Sequence, residues 1–320
     1  MLKTILSSAL IMFSAALFGN PSDTISKPWK SQVIEVRHLN DSTDVSYIDN
    51  SSIFTERWDK LAQPLFWKTV MTLSPDSCLI NIAETRTVVK KMSIADWNRL
   101  SDDEKEYFRD SIRTAHGLTE EDKIYMTSGK SDFYAFEKVL PSVAKGVEVF
   151  EKEGVDPWYA QAILMIESPG KLAKSSVGAY GPFQLMPSVA RTHGLKVNKY
   201  VDERKDFVRS AQGASSLISK TCLPEARRIL TEQGIAFREH DLWFRLFVLH
   251  IYHAGAYNVA GVIKKIDPLE GGLPLITEMW QTEAGQFRNA SQNYTQLALA
   301  ALLIFDELIW EKCDYLVADN

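Results

Sequence analysis

From Ser131 onward, apolar side chains recur every three or four residues, and that rhythm restricts the later part of this chain to packed helices. In Ser131–Glu153 the recurring residues are Phe133, Phe136, Val139, Leu140, Val143, Val147 and Phe150. Gly154 supplies the stop. Asp156 then caps a second helix, with Pro157 at its first position, where a missing N–H costs nothing. Further helices are expected over 209–220, 223–233, 241–253 and 291–312. The last contains Leu297–Phe305, nine consecutive apolar residues. That suits a buried helix and falls short of the roughly 20 residues a bilayer span needs. No internal repeat is visible.

The first 130 residues read differently. Lys3, the apolar run Ile5–Phe18 and the small residues Ala15, Ala16 and Gly19 form a secretory signal pattern over residues 1–20. Export to the periplasm or cell envelope is therefore expected, with no stable membrane span after cleavage. No Cys lies near the cut, which argues against a lipid-modified N-terminus. Residues 21–55 are polar and weakly periodic, and read as a linker or poorly ordered arm. Short Asn-x-Ser/Thr patterns start at Asn40, Asn50, Asn289 and Asn293. Residues 56–130 read as a small mixed α+β accessory region. Leu79–Ile82 and Thr87–Val89 are strand-like and could pair across Ala83–Arg86. Ser101-Asp102-Asp103-Glu104 is a capping box opening a helix through Tyr107, Phe108 and Ile112 toward Gly117. The fold class is thus mainly α, a helical domain over 131–320 preceded by that small mixed region.

Composition narrows the function classes. Of 320 residues, 45% are hydrophobic and 24% charged, enough for a sizeable core. With 36 basic against 41 acidic residues the net charge is −5, which argues against a general nucleic-acid binder. The aromatic share of 11% serves a core and also suits a cleft where rings stack on sugar faces. Cys78, Cys222 and Cys313 are too few and scattered for a disulfide scaffold or zinc site. A Cys222–Cys313 bridge and buried free thiols both remain open.

The chemistry concentrates after the second helix. Glu167 ends the apolar stretch Ala162–Ile166, and a turn follows at Pro169-Gly170. A carboxyl held against apolar walls keeps its proton to higher pH, which is what a general acid requires. Then comes Ser175-x-x-Gly178-Ala179-x-Gly181-Pro182-Phe183-Gln184-Leu185-Met186-Pro187. The two glycines let a loop pass close to a ligand, and Gln184 can hydrogen-bond a sugar hydroxyl or amide.

This ordered set resembles the lytic murein transglycosylases with a soluble-transglycosylase, goose-lysozyme-like domain. Asp202-Glu203-Arg204-Lys205-Asp206 is similar to a segment of the membrane-bound transglycosylase D type. Tyr252-His253-Ala254-Gly255-x-x-x-Val259 and Asn293-Tyr294 also resemble family segments, in the family's order across residues 131–312. The chain departs from the pattern in several places. The Glu167-to-Ser175 spacing is one residue short, Pro182-Phe183 replaces Leu-Met, Phe207 replaces a Pro, and His253 replaces an Asn.

The resemblance implies a lysozyme-like catalytic domain that cleaves the MurNAc-β-1,4-GlcNAc bond of peptidoglycan glycan strands without water, leaving 1,6-anhydroMurNAc ends. Glu167 would act first as acid and then as base. Ser175, Gln184, Tyr252, His253 and Tyr294 would contact substrate or orient Glu167, with Gly178, Ala179 and Gly181 shaping the loop. No cofactor is implied. His250 and His253 lie three apart but lack a third ligand at a suggestive spacing, so no metal is expected. A hydrolytic lysozyme-type muramidase and a non-catalytic peptidoglycan-binding protein of the same fold remain the alternatives.

Overall fold

The computed structural model describes residues 28–37, 44–167, 175 and 177–318. The expected signal peptide and the turn at Pro169-Gly170 lie outside these residues, as does the Cys313 side chain. Cys78 and Cys222 are buried free thiols.

The chain opens with a hairpin of β1 (Val33–Arg37) and β2 (Asp44–Ile48), paired antiparallel from Val33 opposite Ile48 to Arg37 opposite Asp44. After the short α1 (Ser52–Thr55) and α2 (Ala62–Thr72) comes a second antiparallel sheet. It is built from β3 (Ser77–Ile82), β4 (Val88–Ser93) and β5 (Ile124–Ser128), in the order β4-β3-β5. Between β4 and β5 run α3 (Ile94–Arg99) and α4 (Asp102–Ala115). The expected hairpin and capping box are both present, with Ser101 Oγ accepting from the Glu104 N–H and the Glu104 carboxylate from the Ser101 N–H.

Being central, β3 buries side chains on both faces. Cys78, Ile80 and Ile82 pack with Trp97, Ile112 and Ile124. On the other face Leu79 meets Phe66 and Val70 of α2 and Leu73 just after it.

The helical body follows as α5 (Phe136–Glu153), α6 (Trp158–Glu167), α7 (Pro187–Thr192), α8 (Phe207–Leu217), α9 (Leu223–Glu232), α10 (Leu242–Ala254), α11 (Ala256–Ile266), α12 (Leu273–Met279) and α13 (Asn289–Ala318). The mainly helical fold class holds. Every residue of α6 from Trp158 to Ile166 is buried, the pattern of a helix enclosed on all sides. Gly146 on α5 lets α6 approach closely, since a Cβ there would meet the Leu164 side chain at 2.5 Å. Among the described residues no helix is long and apolar enough to cross a membrane.

Two sequence expectations need correction. The first helix of the body starts at Phe136 and not Ser131, because the Lys130 and Ser131 N–H groups donate to the Val70 and Leu73 carbonyls of α2. Those bonds hold the strand-to-helix crossing open. The second correction concerns residues 44–55, part of the stretch 21–55 expected as a linker or poorly ordered arm. Tyr47 and Ile48 are fully buried in the main core, and Ile53 joins them. The Gln161 side chain on α6 pairs with both the N–H and the carbonyl of Ile48, each at 2.9 Å. A five-residue strand with two core side chains is too short to show as periodicity, yet it seals the central helix.

The accessory region packs along α13. Trp67 Nε1 donates to Gln296 at 3.0 Å, and Lys68 pairs with Glu307.

Candidate active site

Glu167 is the last residue of α6, so the most enclosed helix of the fold delivers its carboxyl. Burial raises its pKa from the ordinary 4.5 to about 7, and the neighbouring Tyr294 hydroxyl offsets this only in part. That hydroxyl is buried against the carboxyl, and their contact favours the charged form of Glu167. Tyr134 and Tyr252 complete a phenolic surround. Burial first, and then the Glu167 charge, raises the pKa of each. Among the described residues no second carboxylate contributes to the Glu167 environment.

The segment after Glu167 is a clamped hairpin. Tyr180 and Leu185 exchange backbone hydrogen bonds at 3.2 Å across the turn Gly181-Pro182-Phe183-Gln184. Gly181 has φ +87°, and a Cβ there would sit 1.9 Å from the Arg204 carbonyl oxygen, so no other residue fits. Gln184 itself adopts φ +45°. Its Nε2 donates to the Gly181 carbonyl at 3.0 Å, which closes the turn. Phe183 is fully buried, stacked on Phe150 at 5.7 Å, so the replacement of Leu-Met by Pro-Phe serves the core. Phe207, in place of a Pro, packs against the same ring at 6.0 Å.

Each expected site residue can now be placed. The Ser175 hydroxyl accepts the Ala179 N–H at 2.9 Å, and Gly178, at φ +95°, donates its N–H to the Ser175 carbonyl. Ser175, Gly178 and Ala179 therefore shape the loop. Tyr252 donates its hydroxyl to the Phe183 carbonyl at 2.6 Å, tying α10 to the hairpin beside Glu167. His253 stacks on Tyr294 with ring centroids 4.2 Å apart, and burial lowers its pKa to about 4. It is neutral near pH 7, so it replaces an Asn without adding charge next to Glu167. His250 is also neutral, its pKa pushed by burial to about 3, and its Nε2 meets Thr295 Oγ1 at 2.9 Å. Among the described residues no group of three His, Cys, Asp or Glu side chains is placed to hold a metal ion.

Sequence reasoning missed the role of Arg204. Its buried guanidinium donates from Nη1 to the Gly178 and Leu185 carbonyls, both at 2.9 Å. Asp202 holds the other side of the fork at 2.7 and 2.8 Å. A planar five-donor fork suits this bridging of two loop carbonyls and a carboxylate. The Asp202-x-Arg204 spacing was the available signal. Tyr134 was missed because it lies in the crossing before α5, in a stretch read as helix.

Residues 148–265 match the family model of the transglycosylase SLT domain. The match begins within α5 and covers Glu167, the clamped hairpin, Asp202–Asp206 and Tyr252-His253. The match supports a lytic-transglycosylase-type domain over this part of the chain, a type of domain that cleaves peptidoglycan. Tyr294 and the whole accessory region fall outside the matched span. No curated protein matches the chain.

Proposed function

We propose that this chain is an exported lytic transglycosylase acting in the periplasm or cell envelope on MurNAc-β-1,4-GlcNAc bonds. The observation that carries the reading is Glu167, held by burial near a pKa of 7, surrounded by phenols and with no second carboxyl beside it among the described residues. The sequence from Ser168 to Ser176 offers no second acid either. Glycosidases that recruit water or form a covalent adduct ordinarily use two carboxyl groups. With one, the second nucleophile comes from the sugar.

The protonated Glu167 donates to the glycosidic oxygen as the bond to C1 breaks. The resulting carboxylate takes the proton from the C6 hydroxyl, whose oxygen bonds C1 to close the 1,6-anhydro ring. A pKa near 7 suits both halves, since the group must give and regain one proton at the same pH. Tyr252 and Tyr294 orient the carboxyl, while Gln184, His253 and the loop around Gly178 and Gly181 face the sugar. The Asp202–Asp206 segment supports a likeness to the membrane-bound transglycosylase D type.

Digestion of purified sacculi followed by mass spectrometry tests this reading. Anhydro-ended muropeptides are expected. Products heavier by one water molecule would mean hydrolysis, and undigested sacculi that retain bound protein would mean a binding role alone.

A further inference from the structure

Among the described residues three arginines are buried: Arg86, Arg204 and Arg245. Two have a carboxylate partner at 2.7 Å, Asp202 for Arg204 and Asp156 for Arg245. Arg86 has none. Its Nη2 donates to Asn289 at 3.1 Å and Asn293 at 2.8 Å, and Nη1 reaches Asn81 at 3.4 Å, all neutral acceptors. The rings of Phe66, Trp67 and Tyr125 surround the guanidinium at 5.4 to 5.7 Å. Burial lowers its pKa and no carboxylate opposes that trend. A desolvated cation satisfied only by amides and ring faces retains a strong affinity for an anion.

Arg86 also lines a cavity of about 290 Å³ between the β3–β4 turn and the start of α13. Tyr125, Trp280 and Gln292 contribute to the same walls. Glu84, Glu121, Asp122 and Glu283 line it, with Lys123 and Arg86 as the cations, so a bare anion meets repulsion on entry. A ligand carrying an ammonium beside its carboxylate does not. Asn293, which holds Arg86, and Tyr294 are successive residues of α13.

We propose that this cavity is a subsite for the stem peptide of the glycan substrate, with a peptide carboxylate on Arg86 and the diamino-acid ammonium at Glu84, Glu121 and Glu283. This inference rests on the peptidoglycan reading above. It gives the accessory region a purpose, since that region supplies the arginine and most of the acidic lining.

The test uses the full chain labelled with ¹⁵N at tryptophan. The indole N–H groups of Trp67 and Trp280 bond Gln296 and Thr295, which makes them reporters of the cavity. Titration with L-alanyl-γ-D-glutamyl-L-lysine should shift both in a saturable way. The same peptide with amidated carboxylates, and acetate alone, should bind at least about tenfold more weakly, the scale of one charge-assisted hydrogen-bond pair. Glu121→Lys, at an exposed position, should weaken the free-acid peptide without disturbing packing. In kinetics, the preference for stem-bearing over amidase-stripped glycan should fall about tenfold in Arg86→Gln. Absence of indole shifts, equal shifts with the amidated peptide, or an unchanged preference in Arg86→Gln would overturn the proposal. Peptide binding in a protein that digests neither glycan would support the subsite while overturning the lytic reading.

Discussion

Replacing Glu167 by Gln should make the protein more stable as it removes activity, and the gain should depend on pH. The folded state holds the Glu167 proton up to about pH 7, while an unfolded chain releases it near 4.5. Between those values the folded state binds more protons, so rising pH erodes stability. At roughly 1.4 kcal/mol per decade, the full penalty of the ionised, desolvated carboxylate reaches about 3 kcal/mol above pH 8. Gln fills the same space, accepts the same Tyr294 contact and carries no charge. The stability difference between Glu167→Gln and wild type should therefore be near zero at pH 4.5 and grow to about 3 kcal/mol at pH 8. Urea denaturation of both proteins at four or five pH values reads this directly as a widening gap in midpoint. In parallel, sacculus digestion by the variant should fall at least about a hundredfold, the usual reach of a general acid. Wild-type digestion should decline above pH 7 as the acid form is lost. A gap that stays flat from pH 5 to 8, or that narrows with rising pH, would refute the desolvated carboxyl and with it the acid assignment.

Other perturbations probe the frame around that group. Gly181→Ala forces a Cβ to within 1.9 Å of the Arg204 carbonyl at φ +87°, and should cost more than about 3 kcal/mol in urea melts. An unchanged midpoint would mean the hairpin is not clamped there. Tyr252→Phe leaves the Phe183 carbonyl without its 2.6 Å donor and should lose about 1 to 2 kcal/mol together with digestion rate. Wild-type digestion by that variant would refute the positioning role. Ser101→Ala breaks the capping box of α4 at a cost of about 1 kcal/mol. It should speed amide exchange in the first turn of α4 and leave digestion unchanged, whereas slowed digestion would tie α4 to the site.

The local rules of the chain determined much of this protein by themselves. Apolar spacing specified α5, α8, α9, α10 and α13, Gly154 and Asp156-Pro157 marked where α5 ends and α6 begins, and Ser101 with Glu104 announced α4. The ordered segments from Glu167 to Tyr294 included Tyr252 and Tyr294, two of the phenols beside the carboxyl. All of these are effects of neighbours within a few positions or of a matched pattern.

Tertiary structure alone decided the rest, because each remaining feature joins residues far apart in the chain. Ile48 meets Gln161, Arg204 reaches back to Gly178 and Leu185, and Arg86 crosses to Asn289 and Asn293. Residues 44–55 carry too few apolar side chains to register as an element, yet they close the core over α6. The raised pKa of Glu167 likewise comes from burial, which a sequence suggests through its apolar approach but which only packing supplies. Charge and hydrogen-bond demand are written residue by residue. Whether that demand is met, and by which distant partner, is settled when the helices and the small sheet come together.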